Sequence, residues 1–140
     1  MSTKITVIGA GSVGSAITND IMVQGIASEV VLIDINKEKA MGEALDIYQG
    51  APFCAPAIIR PGDYEDAAGS QIVIITSGVP RKPGQTRLEL AQTNVNILKD
   101  ITPKIVKYAP DAIYILVSNP VDILTYVFTK ISGIPENRIL

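Results

Sequence analysis

The chain contains no histidine. Imidazole is the commonest general base near neutral pH and the commonest metal ligand, so these residues fill neither role in the usual way. A single cysteine, Cys54, excludes an intrachain disulfide and a cysteine-rich zinc site, and it fits a reducing cytoplasm. No metal is expected. No apolar run reaches the roughly 18 residues that a membrane span needs. Glycines interrupt the apolar stretch after Lys4 and no A-x-A site follows it, so it is not read as a secretory leader. Cationic excess is also missing: Lys and Arg total 12 against 14 Asp and Glu, for a net charge of −2 and a pI near 5.0. Without a basic stripe, nucleic acid is not an expected partner, and neither is a membrane.

What remains is apolar and regular. The 140 residues are 47% hydrophobic and 19% charged, with a mean hydropathy of +0.30. That length suits one domain with its own core. Short apolar runs rich in β-branched residues occur at 4–9, 29–35, 57–60, 71–76 and 112–118. Between them lie segments of helical spacing. The first runs from Val13 to about Gly25. The second, capped by Asn36, continues to Tyr48 with Ala40, Ala44, Leu45 and Tyr48 inward. After a helical turn that Asp63 can cap, a long helix begins near Thr86. It is expected to bury Leu88, Ala91, Val95, Leu98 and Ile105, and to kink or divide at Pro103. Asn119-Pro120 starts the last helix. Nearly continuous apolar strands alternating with helices imply a parallel sheet covered on both faces. The expected fold class is α/β: a doubly wound, Rossmann-type sheet in the order 3-2-1-4-5.

Gly9-x-Gly11-x-x-Gly14 stands between the first strand and the first helix. In that setting Gly9 permits the tight turn, Gly11 lets the backbone approach a pyrophosphate, and Gly14 allows close packing of helix on strand. Free amides around Ser12 and Val13 can hold the phosphate charge. Asp34 closes the second strand, where an acid meets the adenosine ribose hydroxyls. This favours NAD over NADP, whose 2′-phosphate would meet Asp34 in repulsion, although Lys37 and Lys39 stand nearby. The alternative is a Gly-rich packing turn with Asp34 as a helix cap.

The loop SGVPRKPGQTR, Ser77 to Arg87, concentrates Arg81, Lys82 and Arg87 at the carboxyl end of the fourth strand. Ligands bind at such loops in open α/β sheets, and guanidinium there favours a carboxylate.

GAGSVG, the acid of LIDI, GDYED, SGVPRKPGQTRLEL and VSNPVDILTY occur in order over essentially the whole chain. As a set they resemble the L-lactate/L-malate dehydrogenase family. The resemblance implies a nicotinamide cofactor and hydride transfer at a 2-hydroxy or 2-oxo acid. It assigns Val13, Asp34, Lys39, Tyr64, Gly78 and Val79 to cofactor contacts, with Asn119 between nicotinamide and substrate. Asp122 shares the NPVD turn, as a substrate-binding or structural residue. Arg87 matches a mobile arginine that polarises the substrate carbonyl, a cation aimed at developing oxyanion charge. In the family, a histidine–aspartate pair and a second arginine lie in a later substrate domain. The chain is therefore read as a dinucleotide-binding domain, 1–140, that carries half an active site.

Arg81 occupies the position that separates the branches: glutamine in most lactate enzymes, arginine in malate enzymes. PFCAP, GDYED, QTRLEL and TYVF lie closer to the lactate branch. The reading leans to lactate, with malate as the alternative. A non-catalytic NAD-binding module and an NAD-dependent glycosidase are further alternatives. The last would need a metal site, and no His/Cys cluster is present. By family analogy the protein is expected in the cytoplasm as a homo-oligomer, a tetramer or dimer.

Overall fold

The computed structural model describes residues 2–140. Five parallel strands form one sheet in the order β3-β2-β1-β4-β5, as the alternation of elements predicts. They are β1 (Lys4–Ile8), β2 (Glu29–Ile33), β3 (Ile58–Pro61), β4 (Ile72–Ile75) and β5 (Ile113–Leu116). The helices are α1 (Ser12–Val23), α2 (Lys37–Tyr48), α3 (Arg87–Tyr108) and α4 (Val121–Ser132), with short 3₁₀ turns at Ala51–Phe53, Tyr64–Ala67 and Glu136–Arg138. β3 lies one residue later than its apolar run predicts and ends on Pro61. Its place at the sheet edge tolerates a missing backbone donor.

Strand residues alternate between two cores. Ile5, Val7, Val30 and Leu32 face Ile21 and Met22 of α1 and Ala40, Ala44 and Ile47 of α2. Ile8, Val31, Ile33, Val73 and Ile75 face Leu98, Ile101 and Ile105 of α3 and Leu124 and Phe128 of α4. Burial on both faces is why the strands read as continuous apolar runs.

Two expectations from helical spacing need correction, and of the two outcomes expected at Pro103 division is excluded. Leu45 and Tyr48 are more exposed than predicted, and Ile47 takes the inward place on α2. Leu88 is 79% exposed, because the first turn of α3 projects beyond the sheet and only Ala91 onward meets the core. Pro103 does not divide α3. It sits on the exposed side, where water can serve the Lys99 carbonyl that loses its amide partner.

Polar pairing sets the edges. Arg60 on β3 donates to Glu29 on β2 and to Asp66, each at 3.0 Å. The Asp63 amide and the Arg60 guanidinium hold the Asp66 carboxyl below its usual range. At the opposite edge, Leu140 pairs with β5: its amide donates to the Tyr114 carbonyl, and its carbonyl accepts from the Leu116 amide, both at 2.9 Å. Tyr114 is fully buried with its ring centroid 4.9 Å from that of Phe128, and its hydroxyl donates to the Ala109 carbonyl at 2.8 Å. Burial pushes its phenol strongly upward, so it stays a donor.

Replacing Tyr114 by Phe keeps the ring and removes the shorter of the two bonds to the Ala109 carbonyl, leaving only that from the Ala112 amide at 3.3 Å. A loss of about 1–2 kcal/mol in urea unfolding is expected. Unchanged stability would mean that the Ala112 amide alone satisfies that carbonyl.

Candidate functional site

The sheet order reverses between β1 and β4, so the loops after these strands diverge and leave a crevice at their carboxyl ends. A cleft of about 560 Å³ opens there. Gly11, Asp34, Ile35, Lys39, Tyr64, Gly78 and Val79 line it, together with Thr76, Ser77 and the α3 residues Asn96, Ile97, Asp100 and Ile101.

The glycine loop divides its tasks. Gly9 has φ +111°, and a Cβ there would lie 2.6 Å from the Thr76 hydroxyl. A Cβ on Gly14 would stand 1.8 Å from the Gly9 carbonyl oxygen, so α1 packs on the strand end with no space for a side chain. Gly11 differs. Its φ is −77°, and a Cβ there would meet nothing within 4 Å. Protein packing does not demand glycine at Gly11; the open space lies on the cleft side, where a ligand backbone can approach. Gly11 is also the N-cap of α1, and no side chain caps that helix. The amides of Ser12, Val13 and Gly14 occupy the first turn, where a helix has no acceptors of its own. In contrast, Asn36 caps α2 through the Lys39 amide, and Thr86 and Glu89 close a capping box on α3. The uncapped α1 terminus is suited to an anion. Val13 is half-exposed beside it.

Asp34 is not the cap of α2. Its Oδ2 accepts from the Ala10 amide at 2.7 Å and its Oδ1 from the Asn36 amide at 2.8 Å. The carboxylate thus locks the glycine loop to the end of β2 and keeps lone pairs for two vicinal hydroxyls. Tyr64 stands across the cleft. Its phenol is raised first by burial and then by the charges of Asp100 and Asp34, so it remains protonated at neutral pH. Lys39 adds a cation to the same rim. The glycine cradle, the free helix terminus, the diol acceptor and the cleft volume fit a dinucleotide with its pyrophosphate over Gly11.

The substrate-side residues lie apart from this cleft. Arg87 is the first residue of α3, is exposed, and has no ion-pair partner among the described residues. Arg81 folds back on its own loop, Nε donating to the Gln85 carbonyl at 2.9 Å, while the Lys82 amide donates to the Gln85 side chain at 3.1 Å. Asp122 is exposed in the first turn of α4, a favourable end for an acid. Asn119 is exposed just before α4 and is joined to Pro120 by a cis peptide. Its carbonyl accepts from Nδ2 of Asn94 at 2.7 Å. Asn94, Asn96, Ile97, Asp100 and Thr76 escaped the motif reading. The signal for Asn94 was present: an amide in the inward spacing Ala91, Asn94, Leu98, Ile101 requires a built partner set.

Fold and cleft together define a Rossmann-type dinucleotide-binding domain. A family profile described as lactate/malate dehydrogenase, NAD binding domain, matches residues 3–140. The chain belongs to this family. It is 55% identical over 139 residues to L-lactate dehydrogenase 1 of Clostridium acetobutylicum, covering 99% of this chain and 44% of the relative. The minor L-lactate dehydrogenase of Enterococcus mundtii superposes with a TM-score of 0.94 at 43% identity, over 98% of this chain and 44% of that one. The malate dehydrogenase of Archaeoglobus fulgidus, solved in complex with NADH, gives 0.91 at 40% identity over 97% and 47%. The chain spans less than half the length of the curated relatives it matches.

Two substitutions separate packing from binding at the glycine loop. Gly11→Ala should fold with nearly wild-type thermal stability and lose most NADH affinity, because its methyl enters the ligand side. Gly14→Ala should be destabilised by its backbone clash. Equal behaviour of the two in thermal unfolding would contradict this division. Asp34→Ser should shift the NAD/NADP affinity ratio toward NADP by an amount on the order of 1–3 kcal/mol, from lost diol bonds and relieved repulsion. An unchanged ratio in paired titrations would leave Asp34 a loop lock only.

Proposed function

We propose that residues 1–140 form the NAD-binding half of an L-2-hydroxy-acid dehydrogenase of the lactate type, which interconverts pyruvate and L-lactate. The observation that carries this reading is the cleft. It joins the uncapped α1 terminus at Gly11 and Asp34 to the loop end at Val79, and the Asn94 side chain links Val79 to the Asn119 loop beside it. The 55% identity to a clostridial L-lactate dehydrogenase over nearly the whole chain supports the lactate choice.

Each residue has a role in this reading. Gly9, Gly11, Ser12, Val13 and Gly14 hold the pyrophosphate, and Asp34, Lys39 and Tyr64 hold the adenosine end. Gly78, Val79 and Asn119 face the nicotinamide, which when bound carries the hydride. Arg87 swings in from the start of α3 and places its guanidinium on the substrate carbonyl oxygen, where negative charge grows during transfer. Asn119 and Asp122 border the substrate. The chain has no histidine, and in this reading the proton donor belongs to the remainder of the enzyme.

Arg81 decides between the substrate branches. Its Nε is engaged by the Gln85 carbonyl, which holds the side chain on its own loop and supports the monocarboxylate. Arg81 is exposed as a residue and only its Nε is engaged, and this favours a second reading: a malate enzyme whose Arg81 pairs the extra carboxylate of oxaloacetate. Among the described residues no helix is long and apolar enough to cross a membrane. A cytoplasmic homo-oligomer acting on a 2-oxo or 2-hydroxy acid completes the proposal.

The test is a chimera of residues 1–140 with the remaining part of the Clostridium acetobutylicum enzyme. It should reduce pyruvate with NADH, while the 140-residue chain alone binds NADH without turnover. In the chimera, Arg87→Gln should lower kcat by about two decades or more and leave NADH affinity nearly intact. Arg81→Gln should cost oxaloacetate more kcat/KM than pyruvate, by about one to two decades. Dominant oxaloacetate turnover by the unsubstituted chimera would establish the malate reading. A normal kcat with weakened NADH binding in Arg87→Gln would remove Arg87 from the chemistry.

A further inference from the structure

One side chain holds together the two loop ends that flank the substrate side of the cleft. Asn94 is 3% exposed and lies on the inward face of α3. Its Oδ1 accepts from the Val79 amide at 2.9 Å. Its Nδ2 donates to the Asn119 carbonyl at 2.7 Å and to the Val79 carbonyl at 3.3 Å. The Gly78 backbone packs against the same amide, since a Cβ at Gly78 would lie 3.3 Å from both Nδ2 and Oδ1.

The pattern of partners is informative. Buried hydroxyls on the same helix bond back to their own turn: Thr102 donates to the Leu98 carbonyl at 2.7 Å. Asn94 does not. All its bonds leave α3 and reach two separate loops, one after β4 and one after β5. Arg87 starts the same helix, seven residues earlier, or about 10 Å along its axis. One amide therefore ties the Val79 loop, the Asn119 loop and the arginine-bearing helix into a single body. The basic stretch of the loop begins after Val79, whose amide and carbonyl are both engaged.

We propose that Asn94 is the positioning residue of the nicotinamide end: it fixes the separation of Val79 and Asn119 and their register against Arg87. It touches neither cofactor nor substrate and acts through these backbones. The proposal rests on the reading that the nicotinamide lies between Val79 and Asn119. An apolar side chain of similar size would fill the space, but it would leave the Val79 amide and two carbonyls without partners.

The test compares NADH with ADP-ribose, which lacks the nicotinamide, as ligands of the 140-residue chain. Wild type, Asn94→Ala, Asn94→Ser and Asn94→Asp are titrated, and folding is checked by circular dichroism. Asp keeps the shape and the acceptor for Val79 but loses both donated bonds; Ser keeps one small hydroxyl should Ala prove too disruptive to fold. In Ala and Asp, NADH affinity should fall about tenfold while ADP-ribose affinity stays within about twofold, so the ratio between the ligands shrinks. Ser should lie between them and wild type. A wild-type ratio in any folded Ala or Asp variant would overturn the proposal, as would parallel loss of both ligands. Failure of all three variants to fold would assign Asn94 to stability alone and overturn it equally. A wild-type chain that binds ADP-ribose as tightly as NADH would instead refute the nicotinamide placement on which the proposal depends.

Discussion

The contact between Gly14 and the Gly9 carbonyl is the constraint on which the site depends. A Cβ at Gly14 would lie only 1.8 Å from that oxygen, so α1 starts directly against the end of β1. This close start aims the first turn of α1 over the carboxyl edge of the sheet. It also leaves Gly11 as an N-cap with open space and no side-chain partner. Had a side chain capped α1, as Asn36 and Thr86 cap α2 and α3, the first amides would already be engaged. The α1 terminus is left unsatisfied and packed tightly in place, the condition that suits a helix start to an anion.

Rigidity comes from links across elements. Asp34 ties the glycine loop to β2 through the Ala10 amide. Thr76 at the end of β4 donates to the Ile8 and Gly9 carbonyls, both at 3.1 Å, and the Ser118 hydroxyl donates to the Ser77 carbonyl at 2.6 Å. Asn94 then gathers the Val79 and Asn119 loops. Strand ends that border the cleft are thus bonded to each other. The basic loop beyond Val79 bonds chiefly to itself through Arg81, Lys82 and Gln85. A fixed cleft beside a self-contained loop is the arrangement that lid closure requires.

Electrostatics follow the same division. The cleft holds Asp34, Asp100 and Lys39 around a protonated Tyr64, a mixed surface suited to hydroxyls and a base rather than to another phosphate. The cations Arg81, Lys82 and Arg87 are on the exposed loop and the start of α3, away from the core. Their charge costs little there, where water solvates it.

Local pattern was enough for much of this. The β-branched runs, the Gly9-x-Gly11-x-x-Gly14 turn and the caps at Asn36 and Thr86 specify elements through short-range physics, and right-handed crossover then yields the sheet order. The motif also marked Asp34, because its spacing from the glycines is fixed by one β-α-β unit. The motif assigned the three glycines separate tasks, and the packed structure gives that division its distances: Gly14 meets backbone and Gly11 meets space. Sequence alone misjudged Leu88 and Leu45, because helical spacing names an apolar face without saying where the helix leaves the core. Asn94 was hidden for a related reason. Its partners at Val79 and Asn119 are 15 and 25 residues away, and only tertiary packing of α3 against two strand ends brings them within hydrogen-bond reach. Short-range chemistry determined the elements and the glycine loop; long-range geometry decided which polar groups meet, because a hydrogen bond depends on ångström-scale placement that no local propensity encodes.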